Sequence, residues 1–304
     1  MLMRRLALLA AAALLAVAHD RSLAQNAGSQ HPDLVFAAAP VENSTGVIDR
    51  YTPFVQYLTR TLGTKVTIQI ASDYAAVIEG QRSGHVHIAH YGPSSYARAW
   101  SVTNGGIEVF STFIMADGSS GLYPVLYVRS GSSAATIHDL KGKNLCLVDP
   151  NSTTGNEVPR YSMHKLGITP EQFFAKVVYA GSHENAIIGV KQGTCEGAFS
   201  WWGSDKDSSV LRMANKGMVK AEDYRIIYRA DIIPTPPIAY LSRLPQNLKA
   251  AIQSAFVDAS RNDKLAVDRL SDGQYLGFRA ASHAEYEASI EQQRFVDQLR
   301  RKRQ

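Results

Sequence analysis

Tyr74-Ala-Ala-Val-Ile-Glu-Gly-Gln-Arg-Ser-Gly84-His-Val-His-Ile-Ala89 and His183-Glu-Asn-Ala-Ile-Ile-Gly-Val-Lys-Gln-Gly193-Thr-Cys-Glu-Gly-Ala198 line up at a constant offset, 74 against 183 and 89 against 198. In both, a helix starts just past a strand, ends at a glycine and hands over to a new strand. Glycine takes the positive φ that stops a helix without a Cβ penalty. One βαβ plan built twice predicts two α/β lobes. Two ordinary βαβ units can also resemble each other by chance. Favouring a true repeat, Tyr74 and His183 both fall in a helix's first turn beyond a strand's carboxyl end, where open α/β sheets place ligands.

Around this repeat, short apolar runs alternate with helical periodicity along most of the chain. Strands are predicted at Leu34 to Ala38, Val66 to Ile70, Val86 to His90, Leu145 to Val148, Val177 to Tyr179 and Gly197 to Ser200. Helices are predicted at Tyr51 to Leu62, Ala75 to Arg82, Asn156 to Leu166 and Glu184 to Lys191, each followed by a glycine: Gly63, Gly84, Gly167 and Gly193. The 304 residues suffice for about two domains of ~150 residues with real cores. Apolar residues at 45% and charged residues at 19% give a globular balance that excludes a disordered chain. The formal charge is +5, with positive residues gathered at the end in Arg300-Arg301-Lys302-Arg303. The body is close to neutral and has no basic, aromatic-interleaved face, so no nucleic-acid partner is expected. The basic tail reads as a solvated helix end.

The first residues have the layout of a secretory signal peptide: Met1-Leu2-Met3-Arg4-Arg5, an apolar run from Leu6 to Ala18, then Ser22-Leu23-Ala24 before Gln25. An uncleaved anchor is the alternative, although the run is shorter than the ~20 residues a spanning helix needs. Cleavage after Ala24 and an exported, periplasmic protein are expected. In an oxidising compartment the pair Cys146 and Cys195 suggests a disulfide closing a loop of about 50 residues. Two small core residues that never meet fit the sequence as well. Neither cysteine has metal-ligand spacing, and no metal or cofactor is expected.

The stretch Leu145-Cys-Leu-Val-Asp-Pro-Asn-Ser152-Thr153-Thr154-Gly155-Asn-Glu157 ends a buried strand, offers three hydroxyls and begins a helix. A helix's opening turn carries free N–H groups and the positive end of its dipole, so it attracts an anion. Ser152, Thr153 and Thr154 would add hydroxyl donors, a cradle suited to a phosphate-like group. A capping box, Thr154 with Glu157, explains the same residues without a ligand. Further helix starts at Ser72-Asp73-Tyr74, Tyr91-Gly-Pro-Ser94-Ser95 and Ser182-His183 each set a hydroxyl, phenol or imidazole directly after a predicted strand.

Together with His-Tyr-Gly at 90–92, Ala-Asp-Gly-Ser at 116–119, Asp-Pro-Asn-Ser-Thr-Thr-Gly at 149–155, Ala-Gly-Ser-His-Glu-Asn-Ala at 180–186 and Ile-Pro-Thr-Pro-Pro-Ile at 233–238, these segments resemble the phosphonate/phosphite/phosphate-binding components of ABC importers. The resemblance runs in order from about residue 33 to 280. It implies an α/β type II periplasmic binding protein fold, two lobes joined by crossing strands with a ligand cleft between them. Residues 33–120 and 238–304 would form lobe I and residues 121–237 lobe II, with crossings near Leu122 to Val128 and Ile233 to Leu241. It further implies that Tyr74, Tyr91, Ser152, Thr153, Thr154 and His183 hold a small phosphorus oxyanion, delivered by a monomer to a membrane permease.

One departure bears on the ligand. Relatives that take aminoalkylphosphonates are expected to meet the ammonium with two carboxylates, at positions occupied here by Gly203 and Pro236. Neither can balance a buried positive charge. An alignment shift of two residues would bring in Asp205. Trp201 and Trp202 could form an aromatic pocket wall or pack as core indoles. A ligand without an amine is therefore expected: phosphite, methylphosphonate or phosphate. A hydrolase built on Ser152, His183 and Glu157 lacks a Gly-x-Ser-x-Gly elbow, and no P-loop or His-Glu-x-x-His motif occurs. A periplasmic sensor serving a signalling receptor would have the same fold and pocket.

Overall fold

The protein is described by a computed structural model covering residues 33–42 and 44–301. The expected signal segment, its cleavage point at Ala24, and Lys302 and Arg303 of the basic tail lie outside the described residues.

The chain opens with β1 (Asp33–Ala38), α1 (Ser44–Leu62), β2 (Lys65–Ile70), α2 (Tyr74–Ser83), β3 (Ile88–His90), α3 (Pro93–Val102) and β4 (Ile107–Met115). There follow β5 (Gly121–Arg129), β6 (Asn144–Leu147), α4 (Val158–Lys165), α5 (Pro170–Phe173), β7 (Lys176–Tyr179), α6 (His183–Gln192), β8 (Gly197–Ser204), β9 (Asp207–Ser208), α7 (Ser209–Asn215), β10 (Tyr224–Arg229) and β11 (Ile233–Pro234). The chain closes with β12 (Pro237–Leu241), α8 (Gln246–Val257), α9 (Ala259–Asn262), α10 (Lys264–Ser271), β13 (Tyr275–Ala280) and α11 (Glu287–Arg301).

Two sheets result. One has the order β13-β4-β12-β3-β1-β2, the other β10-β5-β8-β6-β7. Within them, β2-β1-β3 and β7-β6-β8 are parallel triplets of the same order. The repeat in the sequence is thus a repeat in the fold: α2 and α6 each have ten residues and each stops at a glycine, Gly84 at φ 83° and Gly193 at φ 80°. Gly80, inside α2, is there for close approach, since a Cβ would lie 2.6 Å from Val86 Cγ2.

The first sheet is packed around Leu34, Phe36, Phe54, Leu58, Ile88, Phe110 and Phe256, with Phe54 and Phe256 edge-to-face at 5.0 Å. The second has apolar layers on both faces, as strand alternation requires. Val125, Tyr127, Cys146 and Val148 pack on one side, and Leu126, Val128, Leu145 and Leu147 on the other. Cys146 on β6 is bonded to Cys195 just before β8, with Cα atoms 5.6 Å apart.

Three differences from the sequence reading have clear causes. Helix α1 starts at Ser44 rather than Tyr51, and Pro53 lies inside it; a proline reads as a first-turn residue because it lacks the N–H an interior position needs. The chain changes sheets at 116–120 and 235–236, so β5, where a crossing was expected, belongs wholly to the second sheet between β8 and β10. No capping box forms at Thr154 and Glu157. Ser152 caps instead, accepting from Gly155 N at 3.1 Å, and the first turn, Thr153–Glu157, is π-helical, with Val158 N reaching back to Thr153 O.

Helix α11 is a further link between the lobes. Arg98 of α3 pairs with Asp297 at 2.5 Å, while the Phe295 ring meets Tyr161 edge-on at 5.6 Å and His164 of the same helix α4 at a tilt at 5.2 Å. Arg300 reaches the second lobe's Pro150 O at 3.2 Å and Glu157 at 3.3 Å.

Candidate functional site

A cavity of about 90 Å³ lies between the lobes, at the carboxyl ends of their parallel strands. It is smaller than the ~150 Å³ cavity that holds a benzene molecule, so it suits a small ligand. Helix starts converge on it because each follows a strand directly. Asp73 caps α2 through Ala76 N at 2.7 Å, and Ser182 caps α6 through Asn185 N at 3.1 Å. These caps leave Tyr74 and His183 as first-turn residues of helices from the two lobes, both lining the cavity.

The lobes touch across the cleft. Ser94 N, at the start of α3, donates to Thr153 Oγ1 at 3.0 Å, and His183 N donates to Val41 O at 3.2 Å. Tyr74, carried by the first lobe, packs into the second lobe's apolar cluster. Its hydroxyl pKa is raised by burial, a shift partly opposed by a hydrogen bond with Ser152. This is a closed arrangement.

Ser152, Thr153 and Thr154 all line the cavity and are buried. His183 lines it too, with Nδ1 2.8 Å from Ser200 Oγ. Burial pushes the imidazole down to about 3, so it is neutral near pH 7. If the Ser200 hydroxyl donates to Nδ1, the ring's proton sits on Nε2, which becomes a donor for an anion. Ser200 was visible in the sequence only as the end of a strand.

Two expected site residues are placed differently. The Tyr91 hydroxyl does not serve the cleft, although the residue borders it: it donates to Gln81 Oε1 at 3.0 Å, beneath α2. Trp201 lines the cavity, whereas Trp202 faces the opposite side of β8, where its ring lies 4.0 Å from the Arg229 guanidinium and 5.8 Å from the Tyr123 ring. The alternation of a strand allows only one of two successive indoles to face a given side. Pro236 borders the cavity, Gly203 is buried away from it, and Asp205 is on an exposed turn, so it does not fill the vacant acidic position.

Sequence reasoning missed Arg50, Tyr51, His90, Arg212 and Tyr275, which also line the cavity. Tyr51 Oη lies 2.5 Å from His90 Nδ1, and burial lowers His90 to about 3, helped by the charge of Arg50. Arg212 holds Asp207 bidentately at 2.7 and 2.9 Å. Arg50 is ion-paired with Glu42, which also receives Lys216. Beside the cradle, Glu157 is buried with both carboxylate oxygens lacking hydrogen bonds. Its burial pushes it up to about 7, against the attraction of Arg300.

Residues 36–286 match the family of phosphonate periplasmic substrate-binding proteins of ABC transporters. The chain belongs to this family. It is 30% identical over 263 residues to the phosphonates-binding periplasmic protein of Escherichia coli, covering 84% of this chain and 75% of that one. It is 29% identical over 210 residues to a phosphate-import protein of Mycolicibacterium smegmatis, covering 66% and 63%. Two solved structures share the fold. A binding component of a phosphonate transporter from Pseudomonas aeruginosa superposes with a TM-score of 0.79 at 24% identity, covering 88% and 87%. A Prochlorococcus marinus protein in complex with methylphosphonate gives 0.75 at 17%, covering 88% and 98%. The expected two-lobed periplasmic binding protein architecture is therefore the observed one.

Proposed function

We propose that this protein is the solute-binding component of an ABC importer, capturing a small phosphorus oxyanion between its lobes and delivering it to a membrane permease. Residues 1–24 serve as a cleaved export signal, and the mature chain, with lobe I at 33–120 and 238–304 and lobe II at 121–237, works as a periplasmic monomer without catalysis. The observation that carries the reading is the convergence on one closed cleft of helix starts, the Ser152-Thr153-Thr154 hydroxyls, the Tyr74 phenol and a neutral His183, with no carboxylate lining the cavity among the described residues. Neutral donors fixed in a dry site bind an anion through charge-assisted hydrogen bonds worth about 1.5 to 3 kcal/mol each. Phosphite, methylphosphonate and phosphate fit this donor set. Membership of the family, with relatives named for phosphonate binding and phosphate import, supports the same ligand class.

The test is calorimetric titration with phosphate, phosphite, methylphosphonate, 2-aminoethylphosphonate and phosphate esters. At least one should bind tightly, and Thr153→Val and His183→Ala should each weaken it about tenfold or more while remaining folded. Unchanged affinity in both variants would refute the site.

A further inference from the structure

We propose that the preferred ligand carries a second acidic group a few bonds from its phosphorus atom, received by the Arg50 and Arg212 guanidiniums; this rests on the phosphorus-oxyanion reading above. The cavity wall formed by Arg50, Tyr51, Tyr275 and Arg212 is distinct from the hydroxyl cradle. In it Arg50 Cζ lies 5.8 Å from the Tyr51 ring and Arg212 Cζ 5.8 Å from the Tyr275 ring, whereas the cradle is tied by Thr153 to Ser94 N.

Both arginines are mostly buried, with side chains 13% and 14% exposed. Their carboxylate partners, Glu42 and Asp207, do not line the cavity. A guanidinium has five N–H donors in a rigid fork. Asp207 takes Arg212 through Nε and Nη2 and Tyr275 takes a further hydrogen bond from it, while Arg50 spends Nε on Glu42 and Nη1 on Leu270 O at 3.0 Å. Each fork therefore keeps donors beyond these bonds. The Arg212 fork is further held in place by the Trp201 ring, 4.9 Å from Cζ, and by Tyr275 at 5.8 Å.

A ligand ammonium entering this wall would face two guanidinium forks, and the nearest carboxylates, Glu42 and Glu184 in the adjoining pocket and Asp207, are already paired with Arg50, Lys216 and Arg212. A bare methyl group would leave the forks' spare donors unmatched. A carboxylate would be taken by both, in the geometry that arginine binds best.

Calorimetric titration of the mature protein at pH 7.5 with phosphonoacetate, methylphosphonate and 2-aminoethylphosphonate tests this. Phosphonoacetate should bind at least about tenfold more tightly than methylphosphonate, with 2-aminoethylphosphonate weakest. Arg50→Gln and Arg212→Gln should each lower the phosphonoacetate-to-methylphosphonate affinity ratio about tenfold. The ranking in the parent protein decides the matter even if a variant does not fold. Methylphosphonate or 2-aminoethylphosphonate binding as tightly as phosphonoacetate overturns this inference and leaves the oxyanion site standing. Binding of no phosphorus compound overturns both.

Discussion

Replacing Gly92 by alanine should hold the lobes apart. A Cβ at this position would lie 2.5 Å from Thr153 Oγ1 and 3.4 Å from its Cβ, so the facing groups must separate by about 1 Å to reach ordinary contact. Thr153 cannot simply rotate away, because its Oγ1 accepts the Ser94 N–H at 3.0 Å, and abandoning that bond strands a buried donor at about 1 to 3 kcal/mol. Gly92 itself has φ −79°, a conformation alanine adopts freely, so the open protein loses little stability. Parting the lobes forfeits the Ser94 bond at about 1 kcal/mol and at least one ligand bond at about 1.5 to 3 kcal/mol, so about 3 kcal/mol in all is expected. That corresponds to a roughly 150-fold rise in Kd. Calorimetry gives the Kd, and small-angle scattering should show less compaction on ligand addition than in the parent. Gly131→Ala, at a position with nothing within 4 Å of the added Cβ, serves as control. A Gly92→Ala protein that binds within threefold of the parent and compacts normally would refute the closed contact between Gly92 and Thr153.

Tyr74→Phe should weaken oxyanion binding about tenfold or more, one lost charge-assisted hydrogen bond; Tyr91→Phe should instead lower unfolding stability by about 1 kcal/mol, through Gln81, with little change in affinity. Removing the disulfide with Cys146→Ala and Cys195→Ala should cost about 4 kcal/mol by the loop-entropy relation for a separation of 49 residues, read by urea unfolding; a loss under 1 kcal/mol would contradict it. Acid should destabilise the protein. His90 and His183 bind protons in the unfolded chain near 6.5 but in the folded one only near 3, so each removes about 1.4 kcal/mol per pH unit as pH falls through that window. Glu157, raised from 4.5 to about 7, acts oppositely between those values, leaving a net loss of about 3 kcal/mol between pH 6.5 and 4.5. Urea melts showing stability flat or rising over that interval would refute the neutral buried imidazoles.

Ser152, Thr153, Thr154 and His183 were legible because each sits where a strand turns into a helix, a local signal made of hydroxyl caps and apolar periodicity. Tyr91 obeys the same rule and borders the cavity, but its hydroxyl has another partner. Its backbone is at a helix start, but its ring points under α2 to Gln81, and only side-chain packing reveals that. Trp201 and Trp202 could not be told apart without the face of β8 that meets the cleft. The cysteine pair was an open alternative until β6 and β8 were seen to run side by side.

The sequence by itself determined the doubled βαβ plan, the glycine stops and the polar helix starts, because these depend on periodicity and backbone preference within ten or so residues. Only the tertiary structure decided which side chains share a cavity. Arg50 lies in the middle of α1, and Arg212 in a short helix of the other lobe. Neither has a local signature separating it from an ordinary surface arginine. They meet at one wall because Tyr51, Trp201 and Tyr275 pack around them and exclude water. Desolvation of a charge depends on everything that surrounds it, and those surroundings come from strands far apart in the chain.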